Sequence, residues 1–523
     1  MNLEKIPFRS THAFSEFFLK YMEAHPSLQP FYSRFPQISN FEEQILEKSK
    51  SFPISSRKKL VETLRRQYSN IQTPSNPAKQ NIQSLLKKNT FTVTTGHQLN
   101  VFTGPLYFIY KIVTVINACK QLLSRYPESH FVPVYWMASE DHDYEEIKSF
   151  RLSGQKYTWE TNQHGAVGRF DTKDLESVLR QLPGDISIFR EAYENNNSLS
   201  GAVRQYVHAL FGEEGLVVID ADDRDLKTLL QPVIHADLVD HHPYTLVNET
   251  NRQLGALGNH AFVNPREINF FYLDKNLRSR IEKSDNGFIV VDTDLKFSRK
   301  EIEKQINEIP EKFSPNVILR PLYQEMILPN LAYVGGPAEL VYWLELKSVF
   351  ENFKIPFPIL LPRNFALIID APTGRKLSKT GLGLLDFFED KNYLFSQWVT
   401  KHSTHDLSLG PALKTLDQIL TDIMERGGKI DQTLTPMIAT EAKRMRHTME
   451  KIEQKMLRAE KRLHSDRLRQ IESVKDTLFP AGGLQERTDN FLNFYQQDPD
   501  FIKKLLENFD PFDFRFNALS YHD

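Results

Sequence analysis

The densest chemistry in the 523-residue chain lies where the apolar run FVPVYWMA (131–138) passes without a spacer into SEDHDYEE. Glu140, Asp141, His142 and Asp143, followed by Glu145 and Glu146, crowd ionisable groups at the carboxyl end of a segment that reads as a buried strand. Desolvating so many charges requires pairing or a ligand. These carboxylates could hold a substrate ammonium, or Mg²⁺ carried by a nucleotide. The plainer alternative is a solvated helix start, where acidic residues are favourable. Zinc through His142 is not expected, because the surrounding carboxylates suit harder cations and no thiolate is near.

Three other stretches carry candidate chemistry. In TTGHQLNVFTGPLYFIYK a strand runs into Gly96, His97, Gln98, Thr103 and Gly104, and a helix begins at Pro105 with Tyr107 close behind. A helix N-terminus suits phosphate or carboxylate, which makes Gly96, Thr103 and Gly104 candidate nucleotide contacts and Gln98 and Tyr107 candidate substrate contacts. His97 could steady a phosphoryl oxygen or carry a proton, or simply be hydrogen-bonded in a glycine turn. In LAYVGGPAELVYW, Gly335 and Gly336 precede a second helix bearing Glu339. That junction could cradle an anion, Glu339 could take an amine or a sugar hydroxyl, or the glycines could only make a tight turn. In GRKLSKTGLG, Arg375, Lys376, Ser378 and Lys379 sit on a glycine-bounded loop able to fold over a triphosphate as pyrophosphate leaves, or else form a basic surface loop. The single cysteine, Cys119, falls in an apolar helical stretch and reads as an inert thiol.

The elements that must position these groups are apolar or β-branched runs at Phe91–Thr95, Phe131–Ala138, Gly215–Asp220, Gly287–Asp292 and Phe357–Pro362, alternating with helical patterns. They imply an α/β fold, a buried parallel sheet with helices on both faces and ligands at its carboxyl edge. Residues 1–90 read as a helical segment packing on a core at 91–400, which carries insertions at about 151–214 and 222–286. A helical region follows at 401–490, and 491–523 returns to the core. After a break at Gly427-Gly428 and Pro436, the positions Ala442, Met445, Met449, Ile452, Met456, Ala459 and Leu463 alternate spacings of three and four. That is a coiled-coil seam, closing a homodimer or an antiparallel hairpin within one chain.

Lys plus Arg number 65 against 67 for Asp plus Glu, so no global field draws the chain to nucleic acid or an anionic membrane, and neither partner is expected. One cysteine excludes a disulfide-stapled scaffold and a multi-thiolate zinc site, which favours the cytoplasm. The opening MNLEKIPFRS lacks the apolar stretch of a signal peptide. Leu106–Leu123, the most apolar region, is interrupted by Lys111 and Asn117 and reads as a buried helix rather than a membrane span.

Taken in order, GHQLNVFTGPLYFIYK, FVPVYWMASEDHDYEEI, NPREINFFYL, YVGGPAELVYW, GRKLSKTG and LFPAGGLQER resemble the bacillithiol synthase family, the BshC cysteine ligases, over about residues 90–490. The resemblance implies a Rossmann-like core similar to class I aminoacyl-tRNA synthetases, with connecting insertions and a coiled-coil domain that pairs subunits. It also implies addition of cysteine to glucosaminyl malate. Lys376–Thr380 looks like the synthetases' KMSKS loop with Leu377 in place of methionine, while the paired histidines of their HIGH signature are absent. The mechanism so implied places ATP or another nucleotide, with Mg²⁺, under the Gly96–Gly104 and Lys376–Lys379 loops. Glu140, Asp141 and Asp143 then hold the amino substrate, and a carboxylate or His142 takes the amine proton. His97, Asp141, His142, Lys376 and Lys379 are the catalytic candidates on this reading. A nucleotide-binding scaffold that uses the coiled coil to engage a partner is the rival. A tRNA-acting synthetase would need a basic surface that the near-neutral charge opposes.

Overall fold

The computed structural model describes residues 1–71, 75–258 and 263–521. At its centre is a five-stranded, all-parallel sheet of β1 (Thr90–His97), β2 (His130–Met137), β3 (Val217–Asp220), β4 (Asn330–Gly335) and β5 (Ile359–Pro362), in the order β5-β4-β1-β2-β3. Every residue of β1 is buried, as a parallel strand covered on both faces requires. Alternate side chains serve opposite faces. Val132, Val134 and Trp136 join a core with Leu60, Val61 and Leu64 of the N-terminal helices, whereas Tyr135 and Met137 pack with Ile109 and Ile112 of α1 (Tyr107–Arg125). The order is that of a doubly wound sheet, and its connections reverse direction between β1 and β4.

Asn330 explains why β4 can sit deep in the sheet. Its Oδ1 accepts from the hydroxyls of Thr92 (3.1 Å) and Thr94 (2.8 Å), and its amide donates to Glu325 (2.6 Å), itself paired with buried Lys48 (3.1 Å). Reading NLAYVGG as a turn into a helix passed over this strand. The run GFIVVD errs the other way: Gly287–Val290 belongs to a separate antiparallel sheet, where it pairs with Leu277–Ser284 across the Asp285-Asn286 turn. The Asp-Asn turn followed by Gly287 is the local turn chemistry that the apolar run concealed. Residues 1–90 are largely helical but begin with the strand Asn2–Pro7, which pairs antiparallel with Arg515–Ser520; that strand in turn lies parallel to Ala366–Ile369.

Five more helices follow: α2 (Pro337–Trp343), α3 (Ala371–Thr380), α4 (Gly410–Ile430), α5 (Leu434–Leu463) and α6 (Ser465–Leu478). The expected break at Gly427-Gly428 is not one, since α4 runs through both glycines and the turn falls at 431–433. A Cβ at Gly427 would lie 2.5 Å from Cδ1 of Ile438, so glycine there lets α4 and α5 approach closely as a hairpin. Ala442, Met449 and Met456 are half-buried, while Met445, Ile452, Ala459 and Leu463 stay exposed. Within one chain, the hairpin therefore covers only half of the seam. Among the described residues, no helix is long and apolar enough to cross a membrane.

Candidate active site

The carboxyl ends of β1, β2 and β4 open into a cavity of about 500 Å³ at the point where the sheet's connections reverse. One wall is α2, where Glu339 reaches back to its own helix start. Its Oε2 accepts from the Gly336 N–H (2.7 Å) and from Lys111 (2.6 Å), and its Oε1 accepts from the Tyr333 hydroxyl (2.8 Å). Burial opposes the charge, but Lys111 and these hydrogen bonds hold the Glu339 carboxyl below its ordinary range. Lys111 is itself buried in the apolar α1 and also donates to the Gly96 carbonyl (2.9 Å), tying β1, α1 and α2 together.

Asp141 is equally committed. Gln98 Nε2 donates to its Oδ2 (2.5 Å), while Arg278 (3.1 Å) and the His142 N–H (2.8 Å) donate to its Oδ1. Burial again opposes ionisation, yet the hydrogen bonds from His142 and Gln98 and the charge of Arg278 leave Asp141 well below the usual carboxylate range. Arg278 comes from the antiparallel sheet, with its guanidinium 4.0 Å over the Phe271 ring, and also donates to His142 Nδ1 (2.7 Å). The same Nδ1 lies 3.3 Å from Asp141 Oδ1, so this ring nitrogen sits between a guanidinium and a carboxylate.

Glu140 differs. Lys227, wholly buried, donates to its Oε1 and to the Phe313 carbonyl (2.5 Å). Burial, aided by Asp222 and opposed by Lys227, pushes the Glu140 carboxyl up to about 7. Burial beside Asp143 and Asp141 likewise raises Glu146, at the cavity's rim. His97, packed against Tyr107 and Phe108, is depressed well below its ordinary value by burial and by Lys111 and Arg363, so its ring is neutral.

The anticipated residues divide evenly. Gly96, His97, Gln98, Tyr107, Glu140, Asp141, Gly336 and Glu339 line the cavity. Thr103 and Gly104 lie in the loop behind it, Gly335 ends β4, and His142 and Asp143 fall outside the lining, with Asp143 accepting from the Glu146 N–H (3.2 Å) as a helix cap. The acidic run does not converge on one point, because Glu140, Asp141 and Asp143 each answer a different donor. Among the described residues, no three His, Cys, Asp or Glu side chains are grouped to hold a metal ion. Lys376, Ser378 and Lys379 are exposed and away from the cavity. Their segment is not a loop: Asp370 caps α3 through the Thr373 N–H (2.7 Å), Pro372 occupies its first turn, and Gly381 (φ 72°) ends it.

Sequence reasoning passed over Lys111, Arg278, Arg320, Arg363 and Arg487, all of which line the cavity. Only Lys111 left a signal, as a lone charge inside an apolar helix. Arg363 follows β5, pairs with buried Glu486 and lies over the Tyr107 ring. The expected anion site at the start of α1 is partly taken up, since the Leu106 N–H donates to the Asp489 carbonyl (2.8 Å).

The family described as "Bacillithiol biosynthesis BshC, N-terminal Rossmann-like domain" matches residues 1–364, and "Bacillithiol biosynthesis BshC, C-terminal coiled-coil domain" matches residues 366–521. The second match starts where Ala366–Ile369 pairs with Arg515–Ser520, so that unit closes its two ends on each other. The chain is 38% identical over 531 residues to a protein of Christiangramia forsetii, covering 99% of this chain and 98% of that one. It is 39% identical over 531 residues to one from Flavobacterium johnsoniae (99% and 100% covered), and 38% identical over 520 residues to one from Cytophaga hutchinsonii (99% of each). All three carry the name "Putative cysteine ligase BshC".

Proposed function

The chain belongs to the bacillithiol biosynthesis BshC family, and from that premise we propose that it joins L-cysteine to glucosaminyl malate, forming the amide in the cavity between β1 and β4. The observation that carries this reading is a set of three buried polar atoms with no hydrogen-bond partner in the protein. They are His97 Nε2, Gln98 Oε1 and Arg363 Nε, and all belong to side chains lining this one cavity. Buried polar groups are rarely left unpaired, so a polar ligand that satisfies a donor and an acceptor together fits the site.

Acceptor capacity assigns the roles. Glu339 and Asp141 are saturated by their neighbours and serve to hold the walls. Glu140 has Oε1 on Lys227 and its second oxygen uncommitted, and it titrates near neutrality, where it can take up a proton from an ammonium. In the step we assign, the deprotonated sugar amine attacks the activated carbonyl of cysteine. Glu140 has by then taken the first proton from the ammonium; as the C–N bond forms and the bond to the activating group breaks, the second amine proton leaves to solvent with the departing group.

ATP or another nucleotide, with Mg²⁺, is the activating cosubstrate in this proposal. The lysines expected to cover a triphosphate are not at the cavity, so no step above is routed through it. The proposal also includes a homodimer formed on the uncovered half of the α4–α5 seam, and a cytoplasmic setting.

The test is direct. The purified chain is incubated with cysteine and glucosaminyl malate, with and without ATP and Mg²⁺, and the amide product is followed by mass spectrometry. Product only with ATP supports the whole reading, and product without it removes the nucleotide alone. Absence of product under every condition removes the ligase assignment.

A further inference from the structure

The stretch 485–490, beyond the helical hairpin and α6, makes contacts with four separate elements, three of them bordering the cavity or its loop. Beyond α6, Gln485 exchanges hydrogen bonds with Ile368, accepting from its N–H (2.9 Å) and donating to its carbonyl (3.1 Å). Glu486, fully buried, accepts from the Arg363 guanidinium and from the Ala366 N–H (3.1 Å). The Arg487 side chain lines the cavity, and the Asp489 carbonyl accepts from the Leu106 N–H (2.8 Å). Asn490, also fully buried, donates from one amide nitrogen to the carbonyls of Phe102 (2.7 Å) and Gly104 (2.6 Å), while its Oδ1 accepts from the Leu492 N–H (2.9 Å).

The backbone that Asn490 holds is strained. Phe102, Thr103 and Gly104 have φ of 52°, 70° and 61° in succession. Non-glycine residues enter this region singly and persist there only when their surroundings over-determine them. A Cβ at Gly104 would lie 2.5 Å from that of Asn100, so the loop has no slack. One end of the loop continues from His97 and Gln98 at the tip of β1, and the other enters α1, which brings Tyr107 and Lys111 into the cavity. Relaxation of Phe102–Gly104 would therefore move two walls at once.

We propose that Asn490 is a positioning residue for ligation, holding the strained loop so that His97 and Lys111 keep their places. The segment that follows α6 thereby sets the geometry of the site. The inference rests on the ligase reading of the cavity. Asparagine is suited to this position because one nitrogen carries two protons for two carbonyls. Aspartate has the same shape but only accepts, and would set its charge against both carbonyl oxygens.

Asn490→Asp and Asn490→Ala, the second free of any buried charge, are compared with the wild type by amide hydrogen exchange and by product formation. Expected is exchange at least about tenfold faster across residues 101–110 with β1 and β2 unchanged, the pattern of a local opening. Turnover should fall by about tenfold or more with KM for cysteine within about threefold, because small displacements of reacting groups cost rate rather than binding. Uniformly faster exchange across the sheet, unchanged exchange in the loop, or wild-type turnover in both variants would overturn the proposal. A wild type that forms no amide would sink the ligase reading, and the exchange contrast alone would then decide whether Asn490 holds the loop.

Discussion

Lys111→Met removes one charge from the buried pair that joins α1 to α2 and leaves the other in place. Methionine fits the volume, so the change isolates the ammonium. Glu339 would keep the Tyr333 hydroxyl and the Gly336 N–H but lose the Lys111 contact at 2.6 Å, its one cationic partner among its hydrogen bonds. Breaking a fully buried pair by removing one member costs about 3–5 kcal/mol, because the remaining charge is desolvated without compensation; Glu339 keeps 27% exposure to the cavity, so about 2–3 kcal/mol is expected here. The sign with pH follows from Glu339. In the wild type its folded pKa is depressed, so its stabilisation is present above the ordinary carboxylate range and lost as pH falls through the folded value. In the variant, burial acts without Lys111 and the folded pKa rises above the ordinary value, so destabilisation grows as pH rises. The difference between the two proteins should thus be small near about pH 4 and approach the full few kcal/mol near about pH 7.5. Urea unfolding monitored by tryptophan fluorescence at those two pH values measures it. Adding Glu339→Gln to the Lys111 variant should recover roughly half of the loss, since the amide still accepts from Gly336 without carrying charge. A cost below about 1 kcal/mol at neutral pH, or one independent of pH, would refute the account of this wall.

Glu140→Gln should lower turnover roughly 100- to 10,000-fold and flatten the rise in rate that the wild type shows through about pH 7, as expected of a lost base; a rate profile that keeps its rising limb would reassign the proton acceptor. Met445→Glu with Ile452→Glu places charge on the uncovered half of the seam, so light scattering should report a monomer with helicity intact; an unchanged mass would move the subunit interface elsewhere. Lys376→Ala with Lys379→Ala should keep turnover within about threefold of wild type, because both ammonium groups are exposed on α3 and away from the cavity; a loss beyond about tenfold would mean that α3 closes over the site during catalysis.

The parallel sheet was largely legible, because β1, β2, β3 and β5 are apolar or β-branched runs of a length only buried strands need. β4 was not, since its depth depends on Asn330 being satisfied by Thr92 and Thr94, partners 238 and 236 residues away. The α3 segment was misread for a local reason: lysines between glycines suggested a loop, while the signals that decide the matter were the Asp370 cap, the early proline and the closing glycine. For the site, composition located the acidic cluster but could not divide its labour. Glu140 differs from Asp141 through Lys227, 87 residues distant, and through Arg278, 137 residues distant from Asp141. Both basic partners lie in a stretch that carries no pattern of its own and reads only as an insertion.

Both proposed substrates bring opposite charges into one small space, cysteine with an ammonium and a carboxylate, and the amino sugar with an amine and a malate. A cavity lined by one sign would attract one end of each and repel the other. Here the walls alternate, with Glu140 open to an amine on the β2 side and Arg320 on another, stacked near Trp136 and Tyr333 and hydrogen-bonded to the neutral side chain of Gln324 (3.1 Å). The carboxylates that would compete with an incoming anion for these cations are already bound: Glu339 by Lys111, Asp141 by Arg278 and Glu486 by Arg363. Internal pairing of the surplus charges leaves a few uncommitted groups of each sign in fixed positions. On the proposed reading, such preorganisation would orient two zwitterionic reactants without the site rebuilding itself around them.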